Sequence, residues 1–170
     1  MKNAAPDREI ERRFLVDLAI AKQIALPLTQ NVIEQTYLPG SGDWQIRSRQ
    51  TKRQGSTSYL LTMKRHVSYG ICDEIQLSSD EATHRNFLSA SGAALVKNRT
   101  YHDLECGSVL ELDIYYDEDL IPGFAIAEVE VDSLDDPITL PDWIGPEITG
   151  EKEFSNHALF MKLISGEEKC

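Results

Sequence analysis

What the sequence withholds narrows its function first. No stretch approaches the ~18 consecutive apolar residues that a membrane-spanning helix needs. The residues after Met1 are polar and charged where a secretory signal would place an apolar run. Cysteine is scarce: Cys72, Cys106 and Cys170 are odd in number and match no metal-ligand spacing. A disulfide framework and a zinc motif are thereby excluded, and a reducing cytoplasm, with no membrane partner, is the expected location. The histidines His66, His84, His102 and His157 are scattered and form no ligand pattern. Gly40 to Gly42 reads as a hairpin turn and not a phosphate loop, because no Gly-Lys-Ser/Thr follows it. Basic charge is in the minority: 17 Lys and Arg stand against 28 Asp and Glu, for a net charge of −11. That argues against a nucleic-acid partner, yet it leaves room for a small anion, which answers to local charge.

What is present suits a single domain with a real core: 170 residues, 41% of them hydrophobic and 26% charged. Residues 1–7 and 166–170 read as loose ends. Between them, short alternating segments separated by Gly, Pro, Ser and Asp clusters predict a mostly antiparallel β protein. Strands are expected at about 8–16, 31–38, 44–53, 57–66, 70–77, 95–105, 108–117 and 123–132. A short helix is expected after Asp17. A second is expected from Ser78 to about Ser91, with Ser78 and Glu81 as a capping box. A third follows Ser155, where Leu159, Phe160, Leu163 and Ile164 form a helical stripe. Pro137, Pro141 and Pro146 mark 135–150 as an irregular connection.

Side chains at i and i+2 share a face of a strand. On that rule Glu9, Glu11 and Arg13 lie together, opposite Ile10, Phe14 and Val16. Gln45, Arg47 and Arg49 share a face, as do Thr62 with Lys64, Glu74 with Gln76, and Lys97 with Arg99. Glu111 with Asp113, and Glu128 with Glu130 and Asp132, form acidic stripes opposite apolar ones. The ordinary reading turns such stripes to water. The segregation of like charge by strand favours another geometry, in which acidic and basic strands face one another across an interior. About eight strands close a small barrel, and closure removes exposed edges. A lumen of this kind must hold water, ion pairs and ligands, because unpaired buried charge is costly. Carboxylates supply hard oxygen ligands for Mg²⁺ or Mn²⁺, and Arg and Lys neutralise phosphate oxygens.

At these residues the chain resembles the CYTH superfamily, the triphosphate tunnel metalloenzymes. Glu9-Ile-Glu-Arg-Arg-Phe-Leu-Val16 is similar to the opening ExExK signature. Tyr37 stands in the second-strand position, Ile46-Arg-Ser-Arg49 is similar to the RxR strand and Leu61-Thr-Met-Lys64 to LTxK. Lys97-Asn-Arg99 is similar to KxR, and Glu111-Leu-Asp113 and Glu128-Val-Glu130 to the later acidic pairs. Thr149-Gly-Glu-Lys152 with Ser155-Asn156 is similar to the closing segment. The order holds from about residue 8 to 165, so one such domain is expected to fill the chain.

The resemblance implies an α+β fold: a closed eight-stranded antiparallel β-barrel, a tunnel with a charged lumen and helices packed outside. It implies hydrolysis of a triphosphate, inorganic triphosphate first, with Mg²⁺ or Mn²⁺. Adenylate cyclase or nucleotide or thiamine triphosphatase activity is the alternative, and a binding-only protein is a third. The partner is a small polyphosphate or nucleoside triphosphate, and a monomer or homodimer both fit. Carried over by position, Glu9, Glu11, Glu128 and Glu130 hold metal, with Glu111 and Asp113 holding a second metal or its waters. Arg13, Arg47, Arg49, Lys64, Lys97, Arg99 and Lys152 bind phosphate, while Tyr37, Arg13 and Glu111 are the catalytic candidates. Four positions depart from the pattern. Arg13 replaces the signature lysine that pairs with the tyrosine to activate water, and arginine stays protonated. Gly70 and Cys72 stand for the first two members of RxExE, and Glu153 for the closing arginine.

Overall fold

The computed structural model describes residues 6–25, 31–40 and 42–166. Cys170, the outermost residues expected as loose ends (1–5 and 167–170) and Ser41 of the expected Gly40–Gly42 turn lie outside the described residues. Eight strands form: β1 (Asp7–Asp17), β2 (Asn31–Pro39), β3 (Trp44–Arg53), β4 (Ser56–Ser68), β5 (Ile71–Ser78), β6 (Leu95–Asp103), β7 (Val109–Tyr115) and β8 (Phe124–Glu130). Three helices join them: α1 (Leu18–Ile24), α2 (Glu81–Ser91) and α3 (Asn156–Ser165). Every neighbouring pair is antiparallel, and the ring closes in the order β1-β5-β4-β3-β2-β6-β7-β8.

β1 makes the closure possible by changing partners along its length. Asp7–Ile10 pair with β5, and Glu11–Asp17 pair with β8. At the changeover the Glu11 N–H donates to the Gly70 carbonyl at 3.0 Å. Gly70 has φ +62°, and a Cβ there would meet Leu134 Cδ2 at 2.8 Å and Thr149 Cγ2 at 2.9 Å. A left-handed turn in so tight a place accepts only glycine. The position where the resemblance expects an arginine is therefore a turn, and β5 begins one residue later.

The outward faces of β1, β7 and β8 bury Phe14, Val16, Leu110, Leu112, Ala125, Ala127 and Val129 under α1 and the irregular stretch carrying Trp143 and Ile144. α2 lies over β2 and β3. Its N-cap is Asp80, whose Oδ1 accepts from the Thr83 N–H at 2.7 Å, and not the Ser78–Glu81 box. Ser78 is still strand, paired with Leu60, so the helix cannot begin before the ladder ends. α3 begins where expected, with Ser155 Oγ accepting from the Ala158 N–H at 3.1 Å. It packs Leu159 and Phe160 against Tyr37, Leu95, Tyr115 and Ile126. Those four share strand faces with Gln35, Lys97, Asp113 and Glu128. The inward stripe thus turns apolar at one end of the barrel, and α3 seals that end.

Candidate functional site

The charged stripes line a cavity of about 1210 Å³ inside the barrel. Glu9, Glu11, Arg13, Tyr37, Arg47, Arg49, Lys64, Arg99, Glu111, Glu128, Glu130 and Lys152 all border it. These residues come from β1, β2, β3, β4, β6, β7, β8 and the turn before α3, so closure brings the expected acidic and basic strands face to face.

Two ion-pair clusters occupy the lumen. In the first, the Lys64 ammonium meets Glu9, with Glu11 at 3.9 Å and Glu74 at 4.0 Å. Burial works against the Lys64 charge, but Glu11 and Glu9 hold its pKa above the ordinary lysine value. In the second, Arg99 meets Glu111, takes both oxygens of Asp113 at 2.7 and 2.6 Å, and reaches Glu128 at 2.8 Å. Burial disfavours the Glu128 charge, yet Lys97 and Arg99 hold its carboxyl below the usual value.

Lys97 and Asp113 are absent from the cavity wall. Both are 0% exposed and are joined at 2.5 Å. Lys97 also donates to Asn156 Oδ1 at 3.0 Å, and Tyr115 donates to the same atom at 2.9 Å. Burial pulls Lys97 down to about 8, against the pull of Asp113. Burial would raise Asp113, but Arg99 and Lys97 hold it well below the carboxylate range. Lys97, expected to bind phosphate, and Asp113, expected to hold a metal or its waters, thus stand behind the lining of the cavity. Asp113 spends both oxygens on cations, and the pair props Arg99 and the start of α3.

Arg47 and Arg49 keep unsatisfied groups. The buried Nε of each has no hydrogen-bond partner. Arg47 gives one N–H to Thr62 Oγ1 at 3.3 Å. Arg49 has no carboxylate in ion-pair range among the described residues, and burial, then Arg47 and Arg99, bring its pKa down to about 9. Arg47 has the Glu74 carboxylate at 4.0 Å, whereas Arg49 is a buried cation without one, an arrangement that an anion in the lumen would relieve.

The opposite demand sits at Glu11. Burial, then the nearby Glu128 charge, raise its carboxyl to about 7. Glu11 pairs directly with Glu130 across β1 and β8, and Glu128 faces Arg13 one rung away. No three His, Cys, Asp or Glu side chains stand at ligating spacing among the described residues, because Glu9 and Glu128 are turned onto cations. The donor set of hard oxygens nevertheless fits a divalent cation, and burial beside Glu128 holds the Glu11 carboxyl up even with Arg13 at 3.7 Å and Lys64 at 3.9 Å.

The expected pairing of residue 13 with Tyr37 is not assembled. The Tyr37 hydroxyl receives Gln35 Nε2 at 3.4 Å, and its ring packs on His157 and Phe160. Burial pushes its pKa up, so it stays a neutral phenol. The Arg13 guanidinium points to the carbonyls of Phe154 and Glu151. Cys72 borders the lumen, half-buried, with its thiol pushed up by burial. Glu74 was not among the expected site residues, although its alternation with Gln76 pointed inward. It is buried on the cavity wall, where one oxygen makes no hydrogen bond but lies 4.0 Å from both Arg47 and Lys64. Asn156 and His157 also reach the cavity from α3, and no strand pattern could have announced them.

No family model matches the chain. The inorganic triphosphatase of Nitrosomonas europaea is 30% identical over 161 residues, which cover 91% of this chain and 98% of that protein. A crystal structure of an inorganic triphosphatase matches with a TM-score of 0.58 at 28% identity, covering 90% of this chain and 94% of the other. A conserved hypothetical protein from Pyrococcus furiosus shares the fold, with a TM-score of 0.53 at 20% identity over 74% of this chain and 79% of its own. No helix among the described residues is long and apolar enough to cross a membrane.

Proposed function

The chain belongs to the CYTH superfamily of triphosphate tunnel enzymes, and from that premise we propose that it hydrolyses inorganic triphosphate in its lumen with Mg²⁺ or Mn²⁺. The observation that carries this reading is the pairing of opposite needs on one cavity wall: partnerless buried Nε groups on Arg47 and Arg49, and a carboxyl at Glu11 held protonated to about pH 7. A polyphosphate answers the first and a divalent cation the second.

In this reading Arg47, Arg49, Lys64, Arg99 and Lys152 grip the phosphate oxygens and hold the chain in line. Glu9, Glu11, Glu128 and Glu130 would hold the metal, with Glu111 beside them. When bound, the metal neutralises phosphate charge and lowers the cost of forming a water nucleophile. Glu111 is partly exposed to the cavity and oriented by Arg99, which suits it to align that water and accept its proton. Tyr37, kept neutral by burial, is a hydrogen-bond donor to the substrate and not a base. Lys97 and Asp113 act behind Arg99, fixing its fork. One domain spanning the described residues suffices for all of these roles.

The test is phosphate release from tripolyphosphate, ATP and thiamine triphosphate, with Mg²⁺ or Mn²⁺, alongside an assay for cyclic nucleotide. Tripolyphosphate is expected to turn over fastest, and Glu128→Ala to lower its kcat/KM by about a hundredfold or more. Faster turnover of ATP or thiamine triphosphate would reassign the substrate. Full activity in Glu128→Ala would remove the metal assignment, and binding without turnover of any substrate would leave a sensor.

A further inference from the structure

We propose that Arg13 is a positioning residue, a latch that ties the turn carrying Lys152 and the start of α3 to the barrel wall. Arg13 lies on the charged stripe of β1, where an arginine would be expected to meet phosphate. It is only 6% exposed. Its Nη1 donates to the Phe154 carbonyl at 3.0 Å and its Nη2 to the Glu151 carbonyl at 3.2 Å. Its Nε lies 3.7 Å from Glu11. The backbone repeats the connection on both sides: the Arg13 N–H donates to Thr149 Oγ1 at 3.0 Å, and the Ile148 N–H donates to the Arg13 carbonyl at 2.8 Å.

The segment held in this way has little structure of its own. Lys152–Phe154 is a single 3₁₀ turn, and Glu151 before it makes no side-chain cap. Yet it delivers Lys152, Ser155, Asn156 and His157 to the cavity and leads into the helix that seals one end. Two carbonyls from one turn are a target for a planar fork, which holds both at once. A lysine ammonium is a point donor on a flexible stem and cannot reproduce the geometry. Arginine at position 13 thus gives up the chemistry of the signature lysine and gains a fixed Lys152.

The structural arm of the test needs no substrate. In the ligand-free protein, amide exchange of α3 and tryptic cleavage after Lys152 are compared in wild type, Arg13→Lys and Arg13→Met. The latch predicts exchange of the α3 amides about tenfold faster in Arg13→Met, with Arg13→Lys also faster than wild type. Unchanged α3 exchange in both variants would overturn the proposal. Arg13→Lys is the variant that keeps the charge, and it remains informative if Arg13→Met fails to fold. The second arm rests on the triphosphatase reading. KM for tripolyphosphate is expected to rise about fivefold in Arg13→Met with kcat within about twofold, and Lys152→Met is expected to add little to that rise. Independent, multiplying effects of the two substitutions on KM would place Arg13 on the phosphate itself and refute the latch. If no substrate turns over in wild type, the triphosphatase reading fails while the exchange arm still decides the latch.

Discussion

Glu11 shows how one side chain registers the needs of a whole site. Its carboxyl is raised from 4.5 to about 7, by burial and then by Glu128. Below about pH 4.5 the folded and unfolded chains both hold this proton, and folding is indifferent to it. As the pH rises, the unfolded chain releases the proton first, so stability is lost progressively until about pH 7, where the folded form also ionises. The penalty is at most roughly 3 kcal/mol. Glu11→Gln keeps the position neutral and removes this slope. Urea unfolding of metal-free protein at pH 5 and pH 8 is expected to show the variant gaining on wild type as pH rises. Parallel profiles would mean that Glu11 is ionised throughout. The same residue scale explains the departures from the family pattern: Gly70 answers a left-handed turn, and Arg13 answers two backbone carbonyls.

At the scale of elements, α2 illustrates chemistry that looks catalytic and is architectural. Ser48 Oγ lies 2.9 Å from His84 Nδ1, and His84 Nε2 lies 3.1 Å from Glu34 Oε1. The order Ser-His-Glu resembles a hydrolase triad, but Ser48 is fully buried between α2 and the sheet, where no substrate reaches it. The three groups clasp α2 onto β2 and β3. His84→Ala leaves the buried Ser48 hydroxyl without its partner and a gap under the helix, and is expected to cost about 2–4 kcal/mol in denaturant unfolding. Triphosphate turnover by the folded fraction should be little changed, since this clasp lies outside the lumen. A loss below about 0.5 kcal/mol would show that the clasp does not anchor the helix.

At the scale of the molecule, acidic and basic side chains of the lumen pair with one another. Glu9 sits on Lys64 and Glu128 on Arg99, so the residues proposed for metal occupy those proposed for phosphate. A cation alone must pull carboxylates off their partners, and an anion alone must do the reverse. Together each releases what the other needs, which is a positive coupling free energy. Thermal unfolding with Mn²⁺ and tripolyphosphate, at fixed free metal, is expected to shift the Tm by more than the sum of the separate shifts. Additive shifts would mean that the ion pairs do not have to exchange.

The eight strands, the inward charged stripes and the place of most expected site residues on the cavity wall followed from the sequence, because strand alternation fixes which side chains share a face and the motifs fix their order. α1 and α3 were legible for the same local reason, as Asp17 and Ser155 cap them. Tertiary structure decided the rest. Lys97 and Arg99 share one stripe, yet only Arg99 reaches the cavity, because α3 covers the end where Lys97 lies. Asp113 reads as a ligand beside Glu111 until the barrel closes and gives both its oxygens to cations. Arg13 reads as a phosphate or water contact, and only the folded chain brings it two carbonyls from a turn some 140 residues later in sequence. Alternation assigns a side chain to a face, but which partner claims it depends on what chain closure places opposite, and that is set by contacts distant in sequence.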